Sequence, residues 1–194
     1  MDSLIAVLAG GQGERVGGAK PSLQLGGRPL IDYPVSAGLE AGADVIVVAK
    51  PDTALPPLEA PVLREPEEPR HPLCGIVAAL REARGRAVIV VGCDLPFVTT
   101  ELLGWLGGLP EPFAVPELNG RLHPLLARYS PGLLAPLERA LEGRRHLQEA
   151  VRELGPRLIH EEELGRFGEP GRLLFNLNTP EDLARAQAIL ASAR

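Results

Sequence analysis

Lysine is nearly missing from this chain: of its 20 Lys and Arg residues, only Lys20 and Lys50 are lysine. Cysteine is as scarce, and Cys74 and Cys93 fall in separate segments, a spacing that gives neither a disulfide framework nor a paired-cysteine zinc site. Both read as small buried residues. No apolar run approaches the roughly 20 residues that span a bilayer, and the N-terminus enters an apolar strand without the basic region and cleavage site of a signal peptide. The expected location is cytoplasmic, with no membrane partner. A net charge of -5 argues against a nucleic-acid partner, while leaving room for a local basic pocket. Repeats and low-complexity tracts are absent too, and the 20 prolines and 22 glycines punctuate elements instead of forming a disordered block. The hydrophobic fraction of 45% over 194 residues suits a full core, and the expectation is one domain over 1–194.

What is present is a glycine-rich loop. Ile5-Ala6-Val7-Leu8-Ala9 is a continuous apolar run that passes into Gly10, Gly11, Gly13, Gly17 and Gly18, with Arg15 and Lys20 beside them. Such a strand-and-loop lets backbone N–H groups approach an anion while the basic side chains complement phosphate oxygens. Two familiar phosphate loops are excluded. A P-loop lysine is preceded by Gly and followed by Ser or Thr, but Ala19 and Pro21 flank Lys20. The dinucleotide fingerprint begun at Gly11 has Val16 in place of its third glycine.

Along the chain, Pro29 is expected to open a helix whose apolar face is Leu30, Ile31, Val35 and Leu39, stopped by Gly42. Val45–Ala49 and Ala87–Val91 read as strands buried on both faces. Between them the prolines from Pro51 to Pro72 leave at most one short strand, near Pro61 to Arg64, before a helix from Cys74 to Ala83. Later elements are a helix from Thr99 to Leu106, strands at Phe113–Val115 and Leu125–Tyr129, and helices at Leu133–Glu142 and Leu147–Leu154. Strands at Arg157–His160 and Leu173–Phe175 follow, and Thr179 caps a last helix with Pro180 at its first position. Strands alternating with helices imply an α/β fold: three layers, Rossmann-like, around a mostly parallel, mixed sheet.

In such folds ligands bind outside the carboxyl ends of the strands. One strand ends in the glycine loop; another ends in Gly92-Cys93-Asp94-Leu95-Pro96. A carboxylate there can hold Mg2+, which takes one or two protein carboxylates plus phosphate oxygens and waters; the other reading of Asp94 is a turn cap. Glycine loop and strand-end acid together describe a nucleoside triphosphate held as its magnesium complex. Nucleotidyl transfer needs an in-line nucleophile, cations on the phosphate oxygens and a stabilised pyrophosphate. It requires no covalent enzyme nucleophile, and none is evident.

These residues carry a resemblance. LAGGQGERVGGAKPSLQLGGRPL resembles the signature L-A-G-G-x-x-x-R-M-G-x-x-K of nucleotidyltransferases related to sugar-nucleotide pyrophosphorylases, with Val16 in place of the methionine. HPLCGIVAAL from His71 resembles the G-P-L-A-G-I segment of that superfamily, CDLP from Cys93 its metal-holding strand end, and FNLNTPEDL from Phe175 the C-terminal signature of molybdenum cofactor guanylyltransferases. The resemblance implies transfer of GMP from GTP to the phosphate of molybdenum-loaded molybdopterin, with release of pyrophosphate. Leu8, Ala9, Gly10 and Gly11 would lie against the nucleotide, Arg15 and Lys20 on its phosphates, and Asp94 on Mg2+.

Glu65 stands where the family places an aspartate able to accept both guanine donors; the other reading is a solvated member of an acidic run with Glu67 and Glu68. Val48 replaces an asparagine of the family, and His71 replaces the glycine before Pro72, where it is expected to turn the loop. Asn176 and Asn178, read as one face of a short strand, would meet the pterin edge, with His123 in a segment facing the same acceptor. Transient contact with molybdoenzymes or their chaperones would follow from delivery of the product. Rival readings are a same-fold cytidylyl- or sugar-1-phosphate nucleotidyltransferase, and a catalytically silent nucleotide-binding adaptor.

Overall fold

A computed structural model of the chain describes residues 2–10 and 20–192. The apolar run Leu4–Leu8 forms strand β1. After a 3-10 turn at Lys20–Ser22 come β2 (Gln24–Leu25), β3 (Arg28–Pro29), helix α1 (Asp32–Glu40), β4 (Asp44–Ala49), β5 (Val62–Arg64), α2 (Pro72–Glu82) and β6 (Val88–Gly92). The second half contributes α3 (Thr100–Gly108), β7 (Phe113–Leu118), β8 (Arg121–Leu122), β9 (Leu126–Tyr129), α4 (Leu134–Glu142) and α5 (Leu147–Glu153). It closes with β10 (Arg157–Ile159), the short helices α6 (Glu161–Leu164) and α7 (Pro170–Leu173), and α8 (Pro180–Ser192).

The main sheet runs β10-β7-β9-β6-β1-β4-β5, with β8 paired to β7. Strands β6, β1, β4 and β5 are parallel, β9 is antiparallel to β6 and β7, and β10 is parallel to β7. Unbroken apolar strands follow from burial on both faces. Ile5 and Val7 of β1 pack with α1, α3, α6 and α7, whereas Leu4 and Ala6 pack with α2, α4 and α5. The result is the expected three-layer α/β architecture. No helix among the described residues is long and apolar enough to cross a membrane.

A third, smaller cluster joins Leu25, Leu30, Phe97, Phe175, Leu177 and Ala186. It ties the segment after the glycine loop to the turn after β6 and to α8, three regions distant in sequence. The Phe97 and Phe175 rings meet edge-on at 5.8 Å, a favoured aromatic geometry.

Two expectations are corrected. Pro29 does not open a helix: it pairs with Gln24 in a β2–β3 hairpin whose turn residues, Gly26 and Gly27, have φ of 58° and 84°. Two consecutive residues at positive φ suit a tight hairpin turn, and Gly-Gly supplies them without strain; α1 starts only at Asp32. Nor is Leu173–Phe175 a strand. The Glu169 carboxylate accepts from the Gly171 and Arg172 amides, and with Pro170 next it nucleates the turn of α7. Strand β8 and helix α6 were not anticipated, being two and four residues long.

Candidate active site

The chain lays down β4 and β5 on one side of β1 and then crosses to place β6 on the other. The crevice between the carboxyl ends of β1 and β6 is therefore the switch point, where open α/β sheets accept ligands. A cleft of about 300 Å3 opens there, walled by Leu8, Gly10, Gly92, Cys93, Asp94 and Leu125, by Lys20 and Glu65, and by Arg70, His71, Pro72 and Gly75.

Lys20 is 8% exposed and joins three parts of the sequence. Its ammonium donates to Asp94 Oδ2 at 2.7 Å and to Asn178 Oδ1 at 2.8 Å. The Asn178 amide in turn donates to Asn176 Oδ1 at 2.9 Å. The two asparagines do share a face, as expected, although no strand holds them; the segment is anchored by the Leu177 amide donating to the Asp94 carbonyl. Asp182 accepts from the Asn178 and Thr179 amides while Thr179 Oγ1 accepts from the Asp182 amide, so the start of α8 fixes the asparagines from behind.

Two glycines make room for the two carboxylates of the cleft. A β-carbon at Gly92 would lie 2.4 Å from Asp94 Oδ1, and one at Gly10 would lie 2.4 Å from Glu65 Oε1. Gly75, on the first turn of α2, packs in the same way: its β-carbon would meet both Leu8 methyls at 3.2 Å.

Glu65 is 5% exposed, which overturns its reading as a solvated member of an acidic run. Its amide donates to the Ala49 carbonyl, continuing the β4–β5 register and turning the side chain inward. Burial pushes its carboxyl above the usual range, and the Lys50 ammonium opposes that shift. Lys50 lies 3.6 Å from Glu65 Oε2. Both lysines of the chain therefore face a cleft carboxylate.

The remaining expected residues divide. Leu8 and Gly10 line the cleft, while Ala9 is packed in the core with its amide on the Val48 carbonyl. Val48 is buried within the sheet. His71 does turn the loop, because its Nδ1 accepts from the Leu73 amide and caps α2, and it also forms part of the cleft wall. His123 sits in the β8–β9 turn, two residues from cleft-lining Leu125. Burial, with Arg121 beside it, lowers its pKa to about 4, so near neutral pH it offers a neutral imidazole and no charge. Cys93 is buried with its thiol pushed up to about 12, chiefly by burial, which keeps it an unreactive thiol. Gly11 and Arg15 lie outside the described residues. Lys50, Gly92 and Arg70 were not singled out for the site; the rarity of lysine was the signal for the first, and the position just before Asp94 for the second.

Solved structures share this architecture. The Archaeoglobus fulgidus protein named molybdopterin-guanine dinucleotide biosynthesis protein A superposes with a TM-score of 0.82 at 28% identity, covering 97% of this chain and 99% of its own. A nucleotidyl transferase from Methanothermobacter thermautotrophicus shares the fold at a TM-score of 0.76 and 23% identity, over 99% of both chains. The chain belongs to the family of the MobA-like NTP transferase domain, which residues 5–158 match. Among relatives, the molybdenum cofactor guanylyltransferase of Cereibacter sphaeroides is 36% identical over 192 residues, covering 95% of each chain. The probable molybdenum cofactor guanylyltransferase of Chloroflexus aggregans is 33% identical over 202 aligned positions, covering 96% of this chain and 94% of its own.

Proposed function

We propose that this chain transfers GMP from GTP to the terminal phosphate of molybdenum-loaded molybdopterin. A phosphate oxygen of the pterin forms a bond to the α-phosphorus of GTP. The bond from that phosphorus to the oxygen bridging to the β-phosphate breaks, and pyrophosphate leaves with the electron pair. The observation that carries this reading is the Lys20 ammonium bonded at once to Asp94 and Asn178. It brings the glycine-loop end, the strand-end acid and the FNLNTPEDL motif to one point, as a transfer between two bound substrates requires.

The residues present fit Mg2+. Asp94 sits at a strand end with its side chain 14% exposed to the cleft, and Gly92 leaves the space its Oδ1 occupies. One carboxylate suffices when phosphate oxygens and waters complete the shell of a hard cation, and the described residues hold no cluster of three or more His, Cys, Asp or Glu that would suit an all-protein cage. When bound, Mg2+ supplies charge neutralisation on the phosphates and leaving pyrophosphate. Lys20, held at the same carboxylate, turns to the phosphates as GTP enters. Glu65 faces the guanine N1–H and N2–H donors, and Asn176 and Asn178 take the pterin edge.

The test mixes the protein with Mg2+, GTP and molybdenum-loaded molybdopterin and follows pyrophosphate and the dinucleotide product. The expected outcome is turnover that Asp94→Ala abolishes, with GTP raising the melting temperature more than CTP, ATP or UTP. A preference for CTP would replace this reading with a cytidylyltransferase. No pyrophosphate with any acceptor would leave a nucleotide-binding adaptor.

A further inference from the structure

Lys50 is 1% exposed at the end of β4. Its ammonium donates to the Pro66 carbonyl at 2.6 Å and to the Pro69 carbonyl at 2.9 Å, and lies 3.6 Å from Glu65 Oε2. An ammonium has three protons. Two are spent on the loop that follows Glu65, so Lys50 fixes the backbone carrying the carboxylate and places a positive charge beside it. Among the described residues, Glu65 Oε2 is sealed from solvent and has no partner within hydrogen-bond distance, the Lys50 ammonium standing just beyond it. A carboxylate in such surroundings loses its hydration and takes up a proton unless a charge or a ligand compensates. Oε1 packs against Gly10 and Oε2 is close to Gly75, which places the group between two cleft-lining glycines.

We propose that Lys50 is a specificity-determining residue, which keeps the Glu65 carboxylate ionised and in place so that the cleft selects a base edge presenting two adjacent hydrogen-bond donors. The inference rests on the reading of Glu65 as the base-facing group. An ionised carboxylate only accepts, which matches the N1–H and N2–H donors of guanine. A protonated carboxyl offers one donor and one acceptor, which matches the N1 acceptor and N6–H donor of adenine. The charge on one buried side chain thus decides between two purines. Among the described residues, the other titratable groups around Glu65 are Cys74 of α2, held as a thiol on the Pro69 carbonyl, Arg70 and His71 along the same wall, with Glu68 beyond, and the Lys20–Asp94 pair elsewhere in the cleft. Lys50 is the charge that acts against the burial of Glu65.

The experiment is equilibrium binding of the Mg2+ complexes of GTP and ATP to the whole chain, from mildly acidic to mildly alkaline pH. The wild type should prefer GTP at neutral and alkaline pH. Lys50→Met should bind GTP about tenfold to a hundredfold more weakly at neutral pH, the range for losing charged hydrogen bonds. Its GTP binding should recover as pH rises, and its ATP binding should gain as pH falls. Glu65→Gln leaves both Lys50–carbonyl bonds in place and removes the titration, so its binding should lose the GTP preference and be independent of pH. A folded Lys50→Met protein with an unchanged, pH-independent GTP preference overturns the proposal. If Lys50→Met does not fold, retention of the GTP preference by Glu65→Gln overturns it instead. A wild type with no preference for GTP overturns the base-facing reading of Glu65 itself, a failure distinct from that of Lys50.

Discussion

A β-carbon absent at Gly92 decides where a carboxylate can sit. Gly92 has ordinary strand geometry, so alanine is compatible with its backbone, and the added methyl comes too close to Asp94 Oδ1, at 2.4 Å, while touching Leu125 Cβ at an ordinary 3.7 Å. The carboxylate yields and the sheet does not. Gly92→Ala should therefore change stability by no more than about 1 kcal/mol, while turnover falls on the order of a hundredfold, as a displacement of about 1 Å at a reacting centre does. A thermal melt beside a pyrophosphate-release assay checks both halves. At this scale the sequence singled out Lys20, Asp94 and Glu65, which the fold places along one cleft, and Asn178, which accepts from Lys20. It did not reveal Lys50, because a lysine at a strand end looks like any solvated cation until the fold buries it.

Among the elements, the C-terminal segment shows how local signals mislead. Leu173, Leu174 and Phe175 form an apolar triplet, yet Glu169 and Pro170 make a helical turn there, and the triplet divides between two core clusters. Phe175 then packs edge-on against Phe97, with the Arg172 guanidinium over Phe97 and that of Arg185 over Phe175. This clamp presses the asparagine segment onto the turn that carries Asp94. Phe175→Ala should cost about 3 kcal/mol, in the range for emptying a buried aromatic site. In steady-state kinetics it should raise the KM for the pterin acceptor more than that for GTP. Phe175→Leu, which keeps most of the apolar volume, should recover most of both losses. The Gly26-Gly27 hairpin, by contrast, is legible from its two glycines, although Pro29 after it carries a competing helix-start signal.

For the whole molecule, pH response follows from groups the fold has buried. His123 carries its proton only below about 4, against an ordinary 6.5, through burial and the nearby Arg121 charge. Between those values the unfolded chain binds more protons than the folded one, so stability falls as pH drops from 6.5 toward 4. Glu65, whose carboxyl is raised, takes up its proton first in the folded state and softens that decline. Melting temperatures measured across the window should show the fall, and His123→Asn should flatten it.

The sequence by itself determined the layers of the fold and the expectation of a phosphate ligand at the cleft. Apolar runs of strand length separated by helical periods leave few arrangements other than a sheet covered on both faces. A glycine loop and a strand-end acid suit few ligands other than a charged phosphate. Only the tertiary structure decided which carboxylate pairs with which lysine, and that Glu65 is buried. Those outcomes depend on β1 lying between β4 and β6, which brings residues as far apart as Lys20, Asp94 and Asn178 within hydrogen-bond distance. Local sequence fixes the direction of a side chain along its own element; which charge it meets, and whether water reaches it, depends on the order in which the strands assemble.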